Sequence, residues 1–145
     1  MENRIIKFRG KRIKDGKWIY GNLADYSMKV FNTTIEKKVI FGNIVSFATD
    51  NFGFVVDDCA VDPETIGQFT GLRDKDSRPI YEGDIVEAYD LDEELAFMGA
   101  VRYALPDAAF GIDKGTGASL EPFEGNMTYK VVGNFHDNIE SLNGK

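Results

Sequence analysis

One cysteine, Cys59, and one histidine, His136, serve the whole 145-residue chain. The lone thiol excludes an intramolecular disulfide, and the pair is too small a ligand set for structural zinc. Basic residues are the minority: 17 Lys and Arg stand against 24 Asp and Glu, for a net charge of -7. That balance argues against a generic nucleic-acid binder, whose nonspecific affinity comes from cations neutralising phosphates. No apolar run approaches the length of a membrane span, and the opening Met1-Glu2-Asn3-Arg4 has no apolar signal core. The expectation is an unanchored protein of the reducing bacterial cytoplasm. Gly115-Thr116-Gly117 is followed by no lysine in phosphate-binding register, so it is not a nucleotide loop.

The residues present favour strands. Hydrophobic content of 43%, charged content of 28% and 15 glycines describe a globular chain with many turns. Ile6 and Phe8, then Trp18 and Tyr20, alternate with other residues on either side of Asp15-Gly16, which predicts a hairpin with a type I′ turn. Trp18 reads as a packing anchor. Short runs rich in β-branched and aromatic residues follow at Met28 to Phe31, Ile35 to Phe41, Ile44 to Thr49 and Phe52 to Val56. Asp62-Pro63-Glu64-Thr65 predicts one capped helical turn or a type I turn. The pattern then runs strand, loop, strand: Ile66 to Gly71, the charged stretch Arg73 to Pro79, and Tyr81-Glu82-Gly83-Asp84-Ile85-Val86, with Asp84 placed to accept backbone N–H groups at a turn. Leu95 to Tyr103 would return antiparallel, residues 104 to 126 would form a long surface loop, and Ile139 to Leu142 would close the chain as a short helix. The predicted fold is mostly β, with an N-terminal hairpin and meander (residues 1–60) and a small SH3-like or partly open barrel (61–145) as two lobes of one domain. An α+β alternative would follow if residues 90 to 110 were helical, as Leu91, Leu95 and Met98 permit.

Gln68-Phe69-Thr70-Gly71-Leu72, Ile80 to Val86, Val131 to Asn134, Lys7 to Lys11 and Trp18 to Gly21 together resemble the YopX family of small phage and prophage proteins. The likeness is dense at residues 5 to 23, 61 to 89 and 129 to 142 and thin between them. It implies a mostly-β fold and a phage or prophage accessory role, and it supplies no catalytic residues.

Chemistry-bearing patterns are few. Asp74-Lys75-Asp76 opens like a calcium loop, but Arg78 and Pro79 occupy positions that need an oxygen ligand and a glycine. Asp90-Leu91-Asp92-Glu93-Glu94 reads as a solvated acidic tip. Cys59 reads as a structural thiol, and His136 beside Asp137 has no nucleophile to serve. No catalytic, metal or cofactor residue is assigned. Residues 1 to 17 hold seven basic residues against two acidic ones, a local +5 on a chain otherwise at -12. Lys7, Arg9, Lys11, Arg12, Lys14 and Lys17 are therefore the candidate interaction surface, for phosphate, an acidic surface or a second subunit; the bland alternative is a solvated edge that discourages pairing. Gly67, Gln68, Phe69, Gly71, Tyr81, Gly83 and Asp84 read as a structural motif. A non-enzymatic binding or adaptor module, self-associating and acting through a protein partner, leads the function classes. A nucleic-acid-associated small barrel follows, not favoured, and a metal-assisted enzyme using acidic residues is third.

Overall fold

The computed structural model describes residues 3–41 and 58–137, and the chain divides into two compact units, Met1–Gln68 and Phe69–Lys145. The fold is mostly β.

In the first unit, β1 (Phe8–Lys11) and β2 (Trp18–Val30) form the predicted hairpin, with Phe8 opposite Gly21 and Lys11 opposite Trp18. Its turn is wider than type I′. The Arg12 N–H donates to Lys17 O and the Gly16 N–H to Arg12 O, and Gly16 alone takes a positive φ, +70°. Asp15 keeps an ordinary backbone because its carboxylate is engaged by the Arg12 side chain and the Lys17 N–H. β2 continues into a second, longer hairpin with β3 (Thr33–Phe41), nine register pairs from Asn22–Phe41 to Val30–Thr33. A two-residue strand, β4 (Ala60–Val61), lies on the far side of β3, opposite Lys38 and Val39 only. Val39, Ile40, Ala60 and Val61 are buried here, with Tyr26, Phe41 and Cys59 packed against Val39 and Ala60. Gly10 is tight: a Cβ there would lie 3.1 Å from Val61 Cβ and 3.2 Å from Ile40 Cδ1, so a side chain would push β1 off this core. Pro63–Thr65 is one 3₁₀ turn capped by Asp62, whose Oδ1 accepts the Glu64 N–H at 3.1 Å. Thr65 Oγ1 accepts the Lys11 N–H at 2.8 Å and ties this turn to β1.

β5 (Gly67–Arg73) begins in the first unit, where Gly67 and Gln68 pair with Arg9 and Phe8. In the second unit its Phe69 and Arg73 pair with Tyr81 and Pro79 of β6 (Pro79–Tyr81). A five-stranded antiparallel sheet follows: β7 (Asp84–Tyr89), β8 (Leu95–Ala104), β9 (Ala109–Asp113), β10 (Glu121–Pro122) and β11 (Thr128–Asn134), in the order β10-β9-β8-β7-β11. Ile80, Val86, Ala88, Val101, Ile112, Tyr129 and Val131 make its core. β10 and β11 are the two edges of this sheet, so it does not close into a barrel. Leu95 to Ala104 is a strand paired on both sides, which removes the helical alternative: Leu91, Leu95 and Met98 are exposed rather than joined in a helical stripe. The stretch 104 to 126 is also more ordered than expected. β9 pairs with β8 from Ala104–Ala109 to Ala100–Asp113, because Phe110 and Ile112 alternate with glycine and small residues that sequence composition alone made look like loop. The strands predicted at Ile44–Thr49 and Phe52–Val56 and the helix at Ile139–Leu142 lie outside the described residues. Among the described residues, no helix is long and apolar enough to cross a membrane.

Candidate functional site

Among the six basic candidates, Arg12 and Lys14 are held by acids of the described residues. Arg12 donates to both Asp15 carboxylate oxygens, and this pairing holds Asp15 well below the usual carboxylate range while raising Arg12. Lys14 Nζ lies 2.8 Å from Asp58 Oδ1 and lowers the Asp58 pKa. Lys17 is exposed, and its backbone N–H caps Asp15. The remaining three form a ladder with aromatics. Because β1 and β2 are antiparallel, Arg9 faces Tyr20 and Lys11 faces Trp18, and the period of two puts all of them and Lys7 on one sheet face. The Arg9 guanidinium stacks 4.6 Å from the Trp18 ring centroid, Lys11 Nζ lies 5.5 Å from the same ring, and Lys7 Nζ lies 5.8 Å from Tyr20. Arg9 is only 7% exposed.

The residues of the central motif take backbone roles. Gly83 adopts φ +91° and is stitched on both sides, its N–H donating to Val101 O and its O accepting the Phe135 N–H. Asp84 is 2% exposed, and its Oδ2 accepts the Tyr81 N–H at 2.8 Å. Gly71 takes φ +90° where the β5–β6 register shifts. Gly67 is buried against β1, the half-buried Gln68 pairs with Phe8, and the Phe69 and Tyr81 rings meet at 5.6 Å. Sequence reasoning passed over Asp74, placing it in a charged loop. It is 7% exposed: Oδ1 accepts the Asp76 and Arg78 N–H groups, and Oδ2 accepts the Val131 N–H at 3.0 Å. Burial pushes its pKa up, but the three backbone donors outweigh burial and the net shift is downward. The signal in sequence was an aspartate opening a turn that closes at Arg78, the Asx pattern.

Among the described residues, the remaining reactive groups have local roles. Cys59 is half-buried, and burial together with Asp58 raises its pKa, which keeps it a thiol. In the acidic tip, Asp90 Oδ1 accepts the Asp92 and Glu94 N–H groups, so it organises the turn. Among the described residues no group of three or more His, Cys, Asp and Glu could hold a metal ion.

The feature that sequence reading did not weigh is the distal half of the β2–β3 hairpin. Among the described residues, β1 pairs with β2 over residues 18 to 21 and β4 with β3 at Lys38 and Val39, and residues 26–37 form a two-stranded ribbon beyond them. One ribbon face carries Tyr26, Met28, Val30 and Ile35, and the other Asp25, Ser27, Lys29, Thr34, Glu36 and Lys38, with Lys38 paired to Asp25. At the tip Phe31 is 94% exposed and takes φ +54°. A bulky residue in the left-handed region is an outlier costing about 1–3 kcal/mol, where glycine is the usual occupant. At the base of the ribbon, where β4 stops, lies a groove of about 440 Å³ lined by Ile13, Val61 and Pro63 with Tyr26, Glu36 and Lys38 among its walls.

This architecture defines a small antiparallel β protein of two units, the first of them built around a long hairpin. The model of the YopX protein family matches residues 7–143, and the chain belongs to that family. It is similar to the crystal structure of protein EF1440 from Enterococcus faecalis, at 25% identity and a TM-score of 0.50, over 97% of this chain and 99% of that one. No curated protein matches the chain.

Proposed function

We propose that the protein is a non-enzymatic binding module with a phage or prophage accessory role, working in the cytoplasm of the bacterial host through protein contacts made by the β2–β3 arm. One observation carries this reading: the arm ends in an exposed Phe31 held in a strained backbone conformation. Strain of that kind persists where function requires it, and an exposed aromatic is the residue type that anchors protein interfaces. A photo-crosslinking amino acid at Phe31, compared in cells with one at Asp92 on the exposed β7–β8 turn, tests it. Position 31 should give discrete protein adducts; equal, diffuse labelling from both positions removes the reading.

The cation–aromatic face of Lys7, Arg9, Lys11, Trp18 and Tyr20 favours a second reading, association with single-stranded nucleic acid. Against it stand the overall negative charge and the burial of Arg9. Fluorescence anisotropy with a labelled oligonucleotide at low salt decides: binding that weakens in Lys7→Ala supports this reading, and no binding ends it.

A further inference from the structure

We propose that copies of this chain join head to tail: residues 4–7 of one copy dock on the β7–β8 hairpin of the next, with Ile5 and Ile6 over Leu95 and Met98 and Arg4 at the acidic turn. The contact uses neither strand of the β2–β3 arm and goes beyond the reading given for it.

The receiving face is set by register. Glu87 pairs with Met98 and Tyr89 with Leu95, and the shift between Ala88 and Tyr89 leaves Ala96 as an extra residue, which puts Leu95 and Met98 on one side of the hairpin with Tyr89 and Glu87. The other side turns Val86, Ala88 and Val101 into the core. Leu95 is 57% exposed and Met98 48%, and apolar side chains gathered on one face, rather than scattered, mark a contact surface. The turn at the end of this strip carries Asp92, Glu93 and Glu94, all exposed, and among the described residues no base is paired to them. On the β11 side the face is basic, with Lys75 Nζ 5.2 Å from the Tyr89 ring centroid and Lys130 opposite Glu87. A cationic guest is therefore drawn to the turn and not across the sheet.

A guest of matching chemistry is present on the same chain. Residues 4–7, Arg-Ile-Ile-Lys, precede β1 outside any strand, and Ile5 and Ile6 are 63% and 60% exposed between an exposed Arg4 and an exposed Lys7. Within one copy the two surfaces do not cover each other, since all four apolar side chains stay in water, and burying them together removes that area from it. Arg4 and Lys7 are separated by at most about 10 Å of chain, and Leu95 and Met98 by about the same length of strand. The isoleucine pair thus spans the strip while one cation reaches the turn. Lys7 already leans on the Tyr20 ring, so Arg4 is that cation, and its planar fork suits paired carboxylate contacts. The charge of the two units favours the same approach: Phe69–Lys145 holds seven basic residues against 15 acidic, a net -8, and Met1–Gln68 ten against nine, a net +1. Donor segment and receiving face are different surfaces, so the contact is heterologous and builds rings or open arrays.

The test uses the full chain. Wild type at low salt should form concentration-dependent multimers by sedimentation, and these should dissociate as salt rises. Arg4→Glu and Asp92→Lys each change an exposed side chain, so both should melt like wild type while weakening association by about tenfold or more. Combined in one chain they should recover part of it, because the exchanged charges attract again. In a Cys59→Ser background, which leaves introduced thiols as the only ones, Ile6→Cys mixed with Leu95→Cys should form a linked pair under oxidised glutathione. Ile6→Cys mixed with Leu105→Cys, on the exposed β8–β9 turn, should link more slowly. Phe31→Gly strips the tip of the arm and should leave association unchanged. A wild type that stays monomeric at low salt and high concentration overturns the proposal. So do multimers that Arg4→Glu fails to weaken, a combined variant no tighter than the single ones, equal linking at positions 95 and 105, or association lost in Phe31→Gly.

Discussion

Two strand edges in this molecule receive opposite treatment. β11 is an outer strand of the five-stranded sheet, yet its free side is occupied: the Lys75 N–H donates to Tyr129 O, and Asp74 Oδ2 accepts the Val131 N–H. A turn of five residues, Asp74 to Arg78, folded around one carboxylate, stands in for a further strand. Among the described residues, no strand pairs with the outer side of β3 from Thr33 to Glu36, and its hairpin ends in an exposed phenylalanine. The hairpin that carries it is the longest described in the first unit, and a strand edge of that length is a template for pairing unless something covers it. The contrast is between an edge covered by a turn and an edge along which the described residues place no strand.

Four measurements would break or sharpen that contrast. The largest effect is expected for Asp74→Ala, which strands the buried Val131 N–H and loosens the turn that covers β11; a loss of about 3 kcal/mol in urea unfolding, with new light scattering from the exposed edge, is the expected outcome. A change below about 0.5 kcal/mol would mean the edge is protected by something else.

Asp84→Ala should cost about 2 kcal/mol, because it removes the acceptor of the buried Tyr81 N–H without opening an edge, and so should not scatter light. A midpoint at or above wild type, with binding lost, would move Asp84 from structure to a site.

The pH dependence follows from the direction of the Asp74 shift. Burial raises its pKa, the three N–H donors lower it further, and the folded value ends below the unfolded one. Asp74 therefore contributes stability that is present above the ordinary carboxylate value of about 3.9 and is lost as pH falls through the depressed folded value. The stability gap between wild type and Asp74→Ala should narrow as the pH is lowered below about 4. A gap independent of pH would show that the carboxylate charge is irrelevant to the turn.

The smallest effect belongs to the open edge. Thr34→Lys should change unfolding stability by less than about 0.5 kcal/mol, because Thr34 is exposed and lies outside the buried core of its unit. A larger loss would mean that the arm is covered in the free protein.

Much of the fold was legible in the chain. The first hairpin, the capped turn at Asp62, the strand at Ile85 and Val86 and the antiparallel return at Leu95 all announce themselves through alternation and turn residues, which are local properties. The errors came where local chemistry was outvoted. Gly111 looked like loop punctuation, but the backbone needs it for closeness: a Cβ there would lie 2.9 Å from Leu120 Cβ and 3.0 Å from Glu121 O. Six basic residues in one segment looked like a single patch. The fold pairs Arg12 and Lys14 with acids, one of them 44 residues away, and spreads Lys7, Arg9 and Lys11 over two aromatic rings.

By itself, then, the sequence determined that this chain would be built of strands, that it would carry no disulfide, and that Gly83 would stand at a turn, because period, thiol count and backbone permissiveness are properties of a residue and its neighbours in the chain. Whether a given strand ends up central, covered or open was decided by the tertiary structure, since that depends on which distant segment arrives beside it. Asp74 and Phe31 are both turn residues in sequence. One became the buried acceptor that closes an edge and the other the exposed tip of an arm, because β11 came to the first and no described residue came to cover the second.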